Sequence, residues 1–373
     1  MTGCLPEPLT GPEFSTYAAD EVAWLLTDLS GVALEATRQQ RQQRRRAGEH
    51  YAESLPMEYP PPAEYLRLFH RLLHRCARHV AYLVGVLTER TLATCGTNIV
   101  LVSLARAGTP VGILMRRWAL RIRQLALPHY SLSIVRDRGL DPLALRYLAA
   151  RHDPRHVVFV DGWTGKGTIT RELVNALAQA WRQGYNFPRR LVVLADPGQC
   201  ADIYGTRQDV LVPSACLNAT ISGLVSRTVV KPSLLGPDSY HGAKFYPALG
   251  EFDVSELYLS AVSEHFPFVA SAATAHAAKH PCPSASRPFA GWAEARRLAS
   301  VYGARDVDLI KPGIGETSRA LLRRSPRLIL LKRTGPELPH IVELARMSGT
   351  DIVRVADMRF SCAAVLQPVN SVG

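Results

Sequence analysis

The stretch VVFVDGWTGKGTIT, residues 157–170, sets one acid, Asp161, after four apolar residues and just ahead of a Gly/Thr/Lys loop. TRELVNALAQAW follows with the periodicity of an amphipathic helix. Strand, acid, glycine loop and helix together make a phosphate cradle, because the loop and the helix N-terminus offer backbone N–H groups and partial positive charge. The loop does not fit a nucleoside-triphosphate P-loop: Gly162 stands too close to Gly165-Lys166, and Gly167 follows the lysine in place of Ser or Thr. It also lacks the third glycine of a dinucleotide fingerprint. It fits best a loop that wraps the 5′-phosphate of a ribose, so a small phosphorylated metabolite is the expected ligand.

A second loop points the same way. In SLARAGTPVG, Arg106, Ala107, Gly108 and Thr109 would offer N–H groups and a guanidinium to a pyrophosphate. Arg136 and Arg138 lie on the next loop, where a cover could close. The plain alternative is that these glycines only make tight strand-to-helix turns. A separate chemistry needs a thiolate beside an imidazole. Cys216 in PSACLNAT is its leading nucleophile and Cys200 in ADPGQC the second, with His241 and His129 as bases. No local Cys/His signature ties them together, and a small buried residue is the alternative for Cys216. His70, His74 and His79 lie in a helical stretch. His70 and His74 share a face, but no acid or cysteine completes a clear metal site, so a structural role is the expectation.

These loops need elements to hold them. NIVLVSL from 98, HYSLSIV at 129–135, HVVFV and RLVVLAD at 190–196 read as strands, with helical segments between them. Such alternation implies an α/β fold with a doubly wound parallel sheet, whose ligands sit at the carboxyl ends of the strands. Upstream, residues 18–36 read as a helix and a turn, and EYLRLFHRLLHRCARHVAYLVGVLTER, 64–90, as a helix after a Pro run. Residues 268–290, rich in Ala, Ser and Pro, read as a linker. Beyond them a small α/β module alternates helix and strand. The expected division is a helical region at 1–95, the sheet domain at 96–267, the linker, and the module at 291–373.

The chain of 373 residues carries 44 Lys+Arg against 32 Asp+Glu, which favours anionic partners. Seven scattered cysteines, none paired as CxxC, speak for a reducing cytoplasm and against disulfides or a zinc site. No apolar run is long enough to cross a bilayer, and no secretion signal opens the sequence.

VSLARAGTPVG, HYSLSIVRDRG, VFVDGWTGKGTITREL, VLADP, YGTRQDVLVPSACLNATISGLVSRT and HGAKFY recur in order over residues 15–265 and resemble one bacterial family. It is described both as the StiP cysteine protease family and as phosphoribosyltransferase-like proteins of tellurite-resistance (Ter) gene clusters. PGIGETSRALLRR resembles the Pelota-type RNA-binding domain often fused to it. The resemblance implies a type I phosphoribosyltransferase-like fold and a glycosyltransferase acting on a nucleoside-like metabolite in a stress response. Asp161 would then hold ribose hydroxyls or Mg²⁺. Thr164, Gly165, Lys166, Gly167 and Thr168 would hold the 5′-phosphate, and Arg106 to Thr109 the pyrophosphate. Asp161, Lys166 and Arg106 would be catalytic, with charge on the leaving group. Ordinary members of that enzyme class have two adjacent acids, and here Gly162 takes the second place. Asp196, Tyr204, Arg207 and Arg227 would support the base-binding side. The alternatives are a cysteine peptidase with Cys216 as nucleophile, and a non-catalytic nucleotide- and RNA-binding protein. In the last, Lys311, Arg319, Arg323, Arg324, Lys332 and Arg333 would meet RNA phosphates.

Overall fold

The computed structural model describes residues 5–282 and 287–367; Cys4 lies outside them. The main body is built on a seven-stranded sheet. Its strands are β1 (Ala23–Leu25), β2 (Val100–Ala105), β3 (His129–Val135), β4 (Val157–Trp163), β5 (Leu191–Ala195) and β6 (Ile203–Thr206), in the order β1-β3-β2-β4-β5-β6. All of these pairs are parallel, and the two-residue strand Gly139–Leu140 adds antiparallel to β3.

Parallel strands are buried on both faces, and β2 reads accordingly. Val100, Val102 and Leu104 point into one core with Phe159, Leu173 and Leu177, while Leu101 points into the other. That second core is covered by α2 (Ala63–Cys95), α3 (Thr109–Arg123), α6 (Ser255–Ser263) and α7 (Phe266–Lys279). The first core is covered by α4 (Pro142–Arg151) and α5 (Thr168–Arg182). The basic run Arg38–Arg46 forms α1. Helix α2 begins just past the Pro run and ends at Gly96, whose φ of +83° a side chain would resist. Helix α4 is capped by Asp141, which accepts from the N–H of Leu143 at 2.8 Å. The order places the reversal of strand winding between β2 and β4, where open sheets of this kind form a crevice.

The C-terminal module runs α8 (Ala290–Val301), β7 (Ile310–Pro312), α9 (Ile314–Arg323), β8 (Pro326–Lys332), α10 (Pro339–Met347), β9 (Asp351–Val355), β10 (Cys362–Leu366). Its four-stranded sheet has the order β7-β10-β8-β9.

Two segments differ from the sequence reading. Residues 18–36, read as a helix and a turn, are extended: β1 joins the edge of the main sheet, and Thr27–Asp28 pairs with Gly242–Ala243. Most of the expected linker, 268–290, is helix. Alanine favours helices, Pro267 sits in the first turn where its missing N–H costs nothing, and Pro281 follows the end. Val269, Ala273 and Ala277 then form a buried stripe. Residues 283–286 of that expected linker lie outside the described residues. The N-terminal region is thus part of the sheet domain's structure and not a separate helical unit.

Candidate active site

The crevice between β2 and β4 holds a cavity of about 280 Å³. Arg106, Ala107, Asp161, Thr164, Gly165, Gly167 and Thr168 all line it, so the two loops singled out in the sequence do meet. Several of their donors, however, are committed elsewhere. The N–H groups of Gly108 and Thr109 donate to Leu104 and Arg106 carbonyls at 3.0 and 3.2 Å. The Thr109 hydroxyl faces Ser131 Oγ at 2.8 Å. A Cβ on Gly108 would lie 2.3 Å from the Val160 carbonyl, so this glycine serves close packing of the loop on β4. Thr164 donates to Asp196 Oδ1 at 2.6 Å and accepts from Gly198 N–H at 3.1 Å, tying the β4 loop to the β5 loop.

The C-terminal module occupies the rest of the loop. Lys166, 1% exposed, donates to Asp308 Oδ1 at 2.6 Å and to the Val307 carbonyl at 3.0 Å. Burial alone would raise the Asp308 carboxyl, but Lys166 and Arg136 hold it down at about 2. Glu316 of α9 packs over Gly165, and the Phe289 ring over Gly167. Lys166 and the two loop glycines are therefore not free to wrap a 5′-phosphate as the sequence suggested.

Asp161 is 8% exposed, and burial pushes its carboxyl up to about 6, against the nearby charge of Arg319. Mg²⁺ calls for several oxygen ligands. The cavity instead sets Asp161 and Glu316 among Arg106, Arg227, Arg319 and Arg323. This set does not fit a hard divalent cation.

Neither cysteine chosen from the sequence meets an imidazole. Cys216 is 1% exposed in the apolar core, and burial drives its thiol far up. Tyr65 O–H donates to its carbonyl at 2.9 Å. A thiol so enclosed has no path to a substrate. Cys200 is 0% exposed and lies 3.1 Å from the Gly198 carbonyl, so it too is closed to a substrate. His129 sits between Ser103 Oγ and the Glu21 carbonyl, each at 2.8 Å, and burial lowers it to about 4. His241 pairs with Ser133 Oγ, and its N–H donates to Asp141 Oδ2 at 2.5 Å. Both histidines brace strands.

A different thiol does share a cavity with an imidazole. Cys76 and His79 stand three residues apart on α2, hence on one face. Both line a cavity of about 700 Å³ bounded by α2, the Arg207–Leu211 segment after β6, and Lys332–Leu338 of the C-terminal module. Cys76 is half-buried and His79 is exposed. Burial raises the Cys76 thiol to about 12 and lowers the His79 imidazole below its ordinary value. At neutral pH both groups are thus uncharged in this structure. Arg207 and Gln208 line the same cavity and carry N–H donors. The sequence reading grouped His79 with His70 and His74 and passed over Cys76. The spacing of three on helix α2 was the available signal.

Residues 15–263 match the family described as "Tellurite-like stress resistance cysteine protease StiP". The chain belongs to the StiP family. Residues 289–368 match the PELOTA RNA binding domain. A relative from Acinetobacter baylyi, named "Cysteine protease StiP", is 33% identical over 321 residues, covering 83% of this chain and 82% of its own. These findings overturn the expectation of phosphoribosyl transfer: the StiP family and this relative are named for proteolysis. The C-terminal module is accordingly Pelota-like. Of its six basic side chains proposed for RNA, Arg319 and Arg323 turn into the crevice instead, and Lys332 lines the larger cavity. Among the described residues no helix is long and apolar enough to cross a membrane.

Proposed function

We propose that this StiP-family chain is a cysteine peptidase whose nucleophile is Cys76 and whose base is His79. The observation that carries this reading is the thiol and imidazole on one wall of the 700 Å³ cavity, in a chain whose family is described as cysteine proteases. A cavity of this size admits a short extended peptide segment. His79 accepts the Cys76 proton as Sγ attacks the scissile carbonyl carbon. The carbonyl π-pair moves onto oxygen, where Arg207 and Gln208 supply donors. The imidazolium then protonates the leaving amine, and the C–N bond breaks to leave a thioester. Water, deprotonated by His79, attacks the thioester, releases the acid and restores the thiol.

The scaffold we read as the type I phosphoribosyltransferase-like version of the doubly wound sheet, supported by the strand order and the glycine loop after β4, without the transfer chemistry. The match of residues 289–368 supports RNA as a second partner of the C-terminal module.

Hydrolysis of unfolded protein substrate by the full chain tests the peptidase reading. Cys76→Ser should abolish it, and His79→Ala should lower kcat by about 10²–10⁴. Cys216→Ser should retain it. Full activity in Cys76→Ser, or loss in a folded Cys216→Ser alone, would overturn the assignment.

A further inference from the structure

The smaller cavity, between β2 and β4, plays no part in that chemistry, and its lining is unlike a peptide cleft. Four arginines reach it: Arg106 and Arg227 from the main body, Arg319 and Arg323 from α9 of the C-terminal module. Each keeps a buried donor without a partner. Arg106 is 3% exposed; its Nη1 and Nη2 donate to the Val225 carbonyl at 2.5 Å and to Glu58 at 3.1 Å, and its Nε has no partner. Arg227 binds the Tyr51 and Ser54 carbonyls, and its Nε is unpaired. Arg323 donates through Nε to Asn218 Oδ1 at 2.9 Å, leaving Nη2 without a partner. Arg319 lies over the Trp163 ring at 5.0 Å, and its Nε is unpaired. The Thr170 hydroxyl, 1% exposed at the start of α5, also lines the cavity without a partner.

Buried donors on charged groups are costly to leave unmade, and guanidinium groups repel one another when desolvated. Burial and mutual repulsion lower Arg319 to about 10, and they lower Arg323 as well. Asp161 and Glu316 do not use these donors. Five residues lining one small cavity each keep a buried donor without a partner, four of them cationic, and such a set calls for a compact acceptor with charge spread over several oxygens.

We propose that this cavity is a binding site for a phosphate-class dianion, held by Arg106, Arg227, Arg319, Arg323 and the Thr170 hydroxyl. Two of the arginines belong to each module, so the anion bridges them and the site is complete only when the C-terminal module is docked. Lys166 is no part of it, since Asp308 already neutralises that charge.

The test is calorimetric titration of inorganic phosphate, and separately of glycerol phosphate, into the full chain at matched ionic strength in chloride. Wild type should bind phosphate at one site per chain, and Arg319→Gln and Arg323→Gln should each weaken binding at least tenfold. Cys76→Ser should bind as wild type does, so failure of the peptidase reading leaves this result untouched. In phosphate-free buffer both arginine variants should melt no lower than wild type, because repulsion is relieved; this separates a lost site from a lost fold. The glycerol phosphate arm distinguishes a free anion from an ester, and binding of either supports the site. No heat from either ligand, or undiminished affinity in both arginine variants, would overturn it. So would saturation by an acidic tripeptide in place of phosphate, which would make it a carboxylate site.

Discussion

Asp161 and Asp308 both border the 164–168 loop, yet their surroundings push them in opposite directions. Asp308 has Lys166 and Arg136 as partners and stays ionised well below neutrality, at about 2. Asp161 receives only the Gly162 N–H, at 2.7 Å, and burial raises it to about 6. A carboxyl harder to ionise in the fold than in the unfolded chain weakens the fold as pH rises. The loss begins near pH 4, where the unfolded chain ionises, and is complete above about 6. At about 1.4 kcal/mol per pK unit, the penalty is roughly 2–3 kcal/mol at most. Asp161→Asn carries no such penalty. Its urea midpoint relative to wild type should therefore climb between pH 4 and 6 and level off above 7. A difference between the two proteins that is flat with pH would show that Asp161 titrates as an ordinary surface acid. The sequence reading did bring Arg106, Asp161 and Lys166 to one sheet edge, because parallel strands deliver their ends there. It could not show that Lys166 is neutralised by Asp308, 142 residues away, since no local pattern encodes that pairing. Cys76 escaped notice for a related reason: in a helix dense with leucine and valine, the apolar stripe dominates and a polar pair three apart is easily read as filler.

At the scale of elements, the docking of α8 against the β4 and β5 loops constrains the site. A Cβ on Gly291, in the first turn of α8, would lie 2.1 Å from the Gly165 carbonyl and 2.8 Å from Gly198 Cα. Both obstacles are backbone, so neither can rotate away. Gly291 N–H also donates to the Gly198 carbonyl at 2.9 Å. Gly291→Ala should thus force α8 off the loop at a cost of about 2 kcal/mol or more. Limited proteolysis should then cut near residue 282 and release the C-terminal module sooner than in wild type. Gly250→Ala, where nothing lies within 4 Å of the added methyl, is the matched control. Equal digestion of both variants would mean that α8 does not seal the loop. Helices α2 to α5 and strands β2 to β5 were legible because their apolar periodicities are strong. Strand β1 was not: AWLL has too few residues to distinguish a strand from a helical turn, and its partner β3 lies about a hundred residues on. Helix α7 was masked by composition, since alanine-rich stretches read equally as spacer and as helix until a packing partner is known.

For the molecule as a whole, the excess of 44 basic over 32 acidic residues divides between interior and surface. Arg106, Arg319 and Arg323 are turned inward and are not open to a long polyanion. Arg333 and Arg354 remain exposed on the C-terminal module. They meet at one end of its sheet, where Arg333 N–H donates to the Val355 carbonyl at 2.7 Å. The outer strand β9 beside them is largely exposed. If RNA is a partner, this edge is where its phosphates would lie, and its affinity should follow counterion release. For single-stranded RNA the slope of log affinity against log salt is about −0.7 per phosphate contacted. Changing Arg333 and Arg354 together to Gln should weaken binding of an oligoribonucleotide to the full chain. The same change should flatten that slope by about 1.4. Arg319→Gln should leave the slope unaltered, because its guanidinium faces the crevice. With no aromatic ladder on this edge among the described residues, unrelated sequences of equal length should bind alike. A slope unchanged in the double variant but reduced in Arg319→Gln would reverse the division between interior and surface charge, and would mean that the module swings away from the crevice to meet RNA.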